Sequence, residues 1–318
     1  MKQGAGRFNN CVVVVNPTSS SYDKGQQYIR QLDVIFKNNI EIIEMRLSDY
    51  ERPSWLITRL NSVLTKNTLF CIAGGDGTVN IIVDSLLRSS AISDSAKQAT
   101  LLPLWAGNAN DLAHMVNGNP PSLVESILNS GEIVPVFPLL VTTTNGTKNA
   151  SKLAVNYVSL GASAYASVRI SSPGHRHRRI YRLPGARNLT DMASVTRAFV
   201  GAATFESDID GLKRSIYDIA LINGPRIAKV NRIPIKLSDK NFFEILIVRK
   251  HPLILSYLME LFMGITVERH TRTERSFSIN DPTWGQIDGE AIQIPGNTTI
   301  EVKPFSRPFN ILSTKIKL

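Results

Sequence analysis

Apolar runs and helical periodicities alternate along the first third of the chain. Cys11-Val12-Val13-Val14-Val15 is an unbroken apolar stretch, the pattern of a strand buried on both faces. Tyr28, Ile29, Leu32, Ile35 and Phe36 then recur at helical spacing within residues 23–38. Residues 40–47 alternate like a strand, and Ser54 heads a helix carrying Trp55, Leu56, Leu60, Val63 and Leu64. A short apolar run at 68–73 breaks into Gly74, Gly75, Asp76 and Gly77. Thr78 then opens a helix whose apolar face is Val79, Ile82, Val83, Leu86 and Leu87. Another strand at 101–104 and a short helix over 122–130, ending at Gly131, complete the series. Strands alternating with amphipathic helices predict an α/β layer built on a largely parallel sheet.

After residue 132 the pattern changes. Short apolar runs at 133–141, 152–160, 215–222, 242–249 and 274–280, with several more after 284, read as strands, and Asn145-Gly146 is a hairpin signal. Helical patterns interrupt them at 163–170, 188–203 and 252–264. The expected fold has two domains. Residues 1–132 form an N-terminal α/β nucleotide-binding domain with a largely parallel sheet. Residues 133–318 form a C-terminal β-rich, sandwich-like substrate domain with inserted helices, and a return of the last residues to the first domain stays open.

Composition narrows the partners. A formal net charge of +10 favours anionic ones: nucleotides, acidic lipid surfaces or nucleic acid. Arg176, Arg178, Arg179 and Arg182 lie beside Ile180, Tyr181 and Leu183, which suits an anionic bilayer surface or a solvated loop. One interleaved aromatic and no groove-reading motif argue against nucleic acid. No apolar run reaches the ~18 residues of a membrane helix, and residues 1–10 lack the apolar core of a signal peptide. Cys11 and Cys71 both fall in apolar strands and read as reduced core residues, so a cytoplasmic location is expected.

The chemistry concentrates where strands end. Strand, glycine turn and helix at 68–87 make a phosphate-binding layout: glycines admit an anion close to the backbone, and helix N–H groups point at it. The turn is not a Walker loop, since no lysine lies between Lys66 and Lys97, and the third glycine of a dinucleotide fingerprint is missing. Asn16-Pro17-Thr18-Ser19 turns directly after the first strand, with hydroxyls available to an anion. Gly107-Asn108-Ala109-Asn110-Asp111-Leu112 follows the strand at 101–104, with Asn110 a candidate cap for the helix beginning at Asp111. Asp288-Gly289-Glu290 sits in a turn between strands near the end.

The Gly74-Gly75-Asp76-Gly77-Thr78 string resembles the signature of the diacylglycerol kinase and sphingosine kinase family of lipid kinases, distant relatives of the NAD kinases. The turn at 16, the segment at 107 and Asp288-Gly289-Glu290 match that family in order. Asn108 stands where the family has threonine, Trp105-Ala106 look inserted, and Ser20 replaces a glycine. The resemblance implies phosphoryl transfer from ATP, with Mg²⁺, to a lipid hydroxyl of diacylglycerol or sphingoid type at an anionic membrane surface, the protein associating peripherally. It implies nucleotide contacts from Asn16, Pro17, Thr18, Ser19, Gly74, Gly75, Asp76, Gly77, Thr78, Asn80, Gly107, Asn108 and Asn110. It also implies metal contacts from Asp76 and Asp111, with Asp239 matching one acidic position of the bacterial branch. Asp288 would be the general base, and Glu290 would orient it or help hold magnesium. A homodimer stays open. The rival readings are an NAD kinase, a nucleotide-binding family member without turnover, and a basic nucleic-acid-binding protein. Against the first, no Asn-Glu pair occurs in the chain.

Overall fold

The computed structural model describes residues 7–19, 21–37, 39–45, 53–107, 110–121, 123–171, 197, 201–224, 240–247 and 268–316. The expectations placed on Asn108, on the basic residues 176–182, on Asp239 and on the helix at 252–264 lie outside them, as does most of the helix at 188–203.

The first half runs β1 (Asn10–Val15), α1 (Tyr22–Phe36), β2 (Ile40–Glu44), α2 (Pro53–Val63), β3 (Thr68–Ala73) and α3 (Asp76–Arg88). It continues with α4 (Asp94–Lys97), β4 (Thr100–Pro103), α5 (Asp111–Asn117), α6 (Val124–Ser130) and β5 (Glu132–Val136). The second half holds β6 (Leu139–Asn145), β7 (Lys148–Ala154), β8 (Tyr157–Gly161), α7 (Ala162–Ser171), β9 (Phe205–Ile209), β10 (Leu212–Ile216) and β11 (Asp218–Ile222). It ends with β12 (Phe242–Ile247), β13 (Glu268–Arg272), β14 (Arg275–Ile279), β15 (Thr283–Ile287), β16 (Glu290–Ile294), β17 (Thr298–Pro304) and β18 (Phe309–Ser313).

The unbroken apolar runs behave as their composition requires. β1 and β3 pair in parallel at the middle of a sheet ordered β2-β1-β3-β4-β18-β5. Their side chains alternate between two packed faces. Val12, Val14, Phe70 and Ile72 meet α2 and α3, while Cys11, Val13, Leu69 and Cys71 meet α1 and α6. Cys11 and Cys71 are buried free thiols with sulfurs 3.8 Å apart. β18 joins this sheet parallel to β4, and β5 closes it antiparallel to β18.

Two antiparallel sheets, β10-β9-β14-β17-β6-β7 and β13-β12-β11-β8-β15-β16, carry the second half. Phe205, Phe277, Ile300 and Val302 of the first share one apolar cluster with Leu160, Ile219, Phe242 and Leu246 of the second, which is a sandwich core. Two sequence runs divide here. Residues 133–141 split at Phe137-Pro138 into β5 and β6, which belong to different sheets. Residues 215–222 split at Tyr217 into the end of β10 and β11, again in different sheets. Continuous hydrophobicity marks burial, but a strand that changes layers stays hydrophobic through the change. No helix among the described residues is long and apolar enough to cross a membrane.

A charged knot joins the two sheets. Glu244 of β12, fully buried, accepts Arg275 Nε at 2.7 Å and Arg272 Nε at 3.0 Å, and Arg275 Nη1 reaches both oxygens of Asp210 at 2.7 and 2.9 Å. Removing Arg275 leaves the fully buried Glu244 carboxylate with half of its charge pairing, that from Arg272, and breaking a buried pair on one side is costly. Arg275→Met is therefore expected to destabilise the chain by about 3 kcal/mol, and the double change Glu244→Met/Arg275→Met to recover most of it. Urea unfolding of the two variants checks this.

Candidate functional site

Three loops leave the carboxyl ends of the neighbouring parallel strands β1, β3 and β4, where ligands sit in open α/β sheets. They interlock. Asn16 N–H donates to Ala73 O at 2.9 Å, and Asn16 Nδ2 donates to Thr78 Oγ1 at 3.0 Å. Asn16 Oδ1 accepts Thr18 N–H at 3.0 Å and the Thr18 hydroxyl at 2.7 Å, an Asx-turn that fixes the 16–19 segment. Ser21 joins the first loop to the third, its N–H on Ala106 O and its hydroxyl on Gly107 O, both at 3.1 Å. A Cβ on Gly107 would overlap Gly75 Cα, so the second and third loops touch backbone to backbone.

The helix at the glycine loop starts two residues before Thr78. Gly75 is its N-cap, in extended conformation and with no side chain to satisfy the first-turn N–H groups. Those groups and the helix dipole make an anion-binding end. Asp76 lies inside that turn and faces the third loop. Its Oδ2 accepts Asp111 N–H at 3.1 Å, and its Oδ1 accepts Leu112 N–H at 3.2 Å and Asn156 Nδ2 at 3.3 Å. Asp76 thus supplies the side-chain cap of α5. Asn110, expected to cap α5, occupies the N-cap position with φ 54° but makes no cap bond. Its amide instead pairs with Gly107, accepting the N–H at 2.6 Å and donating to the carbonyl at 2.9 Å. Trp105, read as an insertion, is core. Its Nε1 donates to Gly118 O at 3.2 Å, and its ring packs on Tyr28 and His114.

The second half closes on this site through the β15–β16 hairpin. Asp288 (φ 46°) and Gly289 (φ 91°) are the two central residues of a two-residue turn, the primed geometry that Asp-Gly favours. The Asp288 carboxylate is 1% exposed and accepts three backbone N–H groups from the β7–β8 connection: Val155 at 2.5 Å, and Asn156 and Tyr157 at 2.9 Å each. A Cβ on Gly77 would lie 3.6 Å from Asp288 O and 3.9 Å from Glu290 Cγ, so this hairpin rests against the glycine loop. Glu290 is partly exposed and pairs with Lys152 at 3.4 Å.

Burial sets the electrostatics. It pushes the Asp288 carboxyl up to about 7 despite its three N–H donors, and Asp76 adds to the rise. Burial, followed by the charge of Asp111, pushes Asp76 up to about 6. The Tyr157 hydroxyl, which accepts Gln286 Nε2 at 2.7 Å, is raised by burial and then by Asp288, Asp111 and Asp76. Among the described residues no three His, Cys, Asp or Glu side chains stand together as a metal cage.

One face of α3 carries a polar line at steps of four residues. Arg88 reaches Ser151 O and, at 2.9 Å, Ser151 Oγ; Asp84 accepts Leu153 N–H at 2.8 Å; Asn80 is buried; and Asp76 accepts Asn156 Nδ2. Asp84, Arg88, Asn156 and Tyr157 carry no expectation from the sequence, whereas Asp76 and Asn80 do. The step-of-four spacing of Asp76, Asn80, Asp84 and Arg88, along the border of the apolar face, was the available signal.

Residues 10–136 match the family model of the diacylglycerol kinase catalytic domain. The match covers the first, α/β part of the chain. The mitochondrial acylglycerol kinase of Xenopus laevis is 30% identical over 131 residues, which cover 39% of this chain and 29% of the relative's length. The fold extends further than the sequence match. A Bacillus anthracis diacylglycerol kinase structure aligns over 97% of this chain and 98% of its own, with TM-score 0.62 and 15% identity. Yeast NADH kinase, complexed with NADH, aligns over 96% of this chain and 83% of its own, with TM-score 0.51 and 11% identity. Over 96–97% of its length the chain therefore shares its two-part α/β and β-sandwich fold with those structures.

Proposed function

We propose that the protein transfers the terminal phosphoryl group of ATP to the hydroxyl of a lipid of diacylglycerol or sphingoid type. The observation that carries this reading is the contact between Gly77 and the Asp288 turn, which puts an anion-binding helix end against a buried carboxylate of near-neutral pKa. In such a step the protein positions reactants and neutralises charge. Backbone N–H groups at Gly74, Gly75 and Gly77 hold the phosphates. Asn16, Pro17, Thr18, Ser19, Thr78, Asn80, Gly107, Asn108 and Asn110 shape the nucleotide side. Ser19 Oγ and Asn80 Oδ1, buried and without partners among the described residues, fit a polar ligand there. Mg²⁺ needs only one or two protein carboxylates when phosphates and water supply the other ligands, which fits Asp76 and Asp111.

Asp288 takes the acceptor's proton. A carboxylate offers about four acceptor sites, of which three are filled by N–H groups. Its pKa of about 7 suits a base working near neutrality. The half-buried position of Asp76 favours a second assignment, in which that residue takes the proton. The pH–rate profiles of Asp288→Asn and Asp76→Asn separate them, the ascending limb disappearing in the variant that lacks the base.

The acyl part of the acceptor fits a groove of about 270 Å³ lined by Tyr165, Phe205, Pro282, Trp284 and small residues including Gly161 and Ala202. β15 runs from this groove to the Asp288 turn, roughly 15 Å at about 3.4 Å per residue. Trp284→Ala is expected to raise the KM for lipid about tenfold and leave that for ATP within a factor of about two, a loss of apolar contact. Steady-state kinetics with each substrate varied in turn checks it.

The deciding experiment offers ATP carrying a labelled terminal phosphate to the protein with an unfractionated lipid extract, and with NAD in parallel. Label in lipid supports the proposal. Label in NAD, or binding of ATP with no transfer to either, replaces it with an NAD kinase or an inert nucleotide binder. Salt-sensitive affinity for generic DNA exceeding that for ATP would favour a nucleic-acid-binding protein.

A further inference from the structure

Asn156 lies between β7 and β8 and has no exposed surface. Its groups engage both halves of the molecule. The backbone N–H donates to Asp288 Oδ1 at 2.9 Å, the side-chain Nδ2 donates to Asp76 Oδ1 at 3.3 Å, and the carbonyl accepts Asn223 N–H at 2.7 Å. Asn223 Nδ2 in turn bonds Val155 O and Phe137 O at 2.9 Å each, which stiffens the segment beneath. Among the described residues Asn156 Oδ1 has no partner. A buried amide oxygen without a donor is costly, and packing alone would be served better by an aliphatic side chain. What the amide contributes lies at its donor end, on Asp76.

We infer that Asn156 is a positioning residue for the transfer reaction: one side chain ties Asp76 of the glycine loop to the segment that holds Asp288, and so fixes the two carboxylates relative to each other across the junction. The inference rests on the function proposed above. It does not require Asn156 to touch substrate, and it holds whichever carboxylate takes the proton. The rest of the junction has its own anchors. Asp84 on Leu153 N–H at 2.8 Å and Arg88 on Ser151 Oγ at 2.9 Å keep β7 against α3 without it. Loss of the Asn156 amide therefore loosens the carboxylate end of the seam while the two halves stay docked.

The test uses the full chain with ATP and 1,2-dioctanoylglycerol in detergent micelles, and four variants: Asn156→Ala, Asn156→Leu, Asp76→Asn and the double change Asp76→Asn/Asn156→Ala. Asn156→Leu keeps the shape of the side chain and removes the donor without adding a charge or a titratable group, so it decides the matter if the alanine variant does not fold. Each single change at 156 is expected to lower kcat by about 30-fold, the scale of a sub-ångström to ångström misplacement, with the KM for ATP unchanged within about threefold. In the Asp76→Asn background, Asn156→Ala is expected to lower kcat by less than about threefold more, because a residue acting through Asp76 has nothing left to position. Losses that multiply, or a full kcat in Asn156→Leu, overturn the inference. If the wild-type protein phosphorylates no dioctanoylglycerol, the functional reading fails separately. The same four variants then decide the tie by thermal unfolding: additive shifts in Tm refute it, and non-additive shifts uphold it.

Discussion

Asp288→Asn is expected to lower phosphoryl transfer by about 10³-fold, within the range that a positioned general base contributes, while the Kd for ATP changes less than about threefold. Single-turnover transfer and calorimetric titration with ATP measure the two separately. The structure adds a stability effect to this kinetic one. Three buried N–H groups converge on the carboxylate, and an asparagine turns an NH2 group toward at least one of them. Asp288→Ala leaves all three without an acceptor, at about 1–3 kcal/mol for each buried group so stranded. Equal collapse of transfer and ATP binding in the asparagine variant would assign Asp288 to the turn alone.

The raised pKa of Asp288 also fixes the sign of a pH effect. Its folded-state value of about 7 exceeds the ordinary 3.8, so the folded chain holds this proton more tightly than the unfolded chain. The stabilisation is complete below about pH 4 and is lost as pH rises through about 7, at about 1.4 kcal/mol for each pH unit between the two values. Asp76 adds a smaller effect of the same sign, ending near 6. Asp288→Asn has no proton to lose at this position. The wild-type advantage over it is therefore expected to shrink from pH 4 to pH 7, measured by urea unfolding across that range.

The sequence was most informative where one physical requirement acts on consecutive residues. Val12 to Val15 and Leu69 to Ala73 announced buried parallel strands because both their faces are covered, and the glycines after Ala73 announced a close approach of backbone. Less legible was what each polar side chain reaches. Asp76 was read as a metal or loop residue, yet it caps a helix that starts 35 positions later. Asn110 was read as that cap, yet its amide is committed to Gly107. Asp288-Gly289 was legible as a hairpin turn, but the amides that its carboxylate binds lie more than 130 positions earlier. Asn156 carried no local signal at all, since its partners come from two distant turns. Long-range hydrogen bonds leave no period in the chain, and the candidate site, assembled across two layers, depends on them.

Gly75→Ala and Gly107→Ala lie at one contact and are expected to part company. A Cβ at 107 would fall on the backbone of Gly75, and would also come within 2.9 Å of Asn110 Oδ1. Backbone cannot swing aside, so Gly107→Ala forces the second and third loops apart or breaks the Gly107–Asn110 pair, an overpacking cost of about 1–3 kcal/mol. A Cβ at 75 meets only Gly107 Cα at 3.6 Å, an ordinary contact, and Gly75 has φ −82°, which any residue adopts. Gly75→Ala is therefore expected to unfold at the wild-type temperature within about 1 °C, as substitutions without a clash or a lost bond do. Its affinity for ATP is nonetheless expected to fall at least about tenfold, or 1.4 kcal/mol, because the added methyl group stands where phosphate approaches the N-cap. Gly107→Ala is expected to lose both stability and affinity. Thermal unfolding and calorimetric ATP titration of the two variants separate a glycine kept for packing from one kept for a ligand. Undiminished ATP affinity in Gly75→Ala would remove the phosphate cradle from the proposed site.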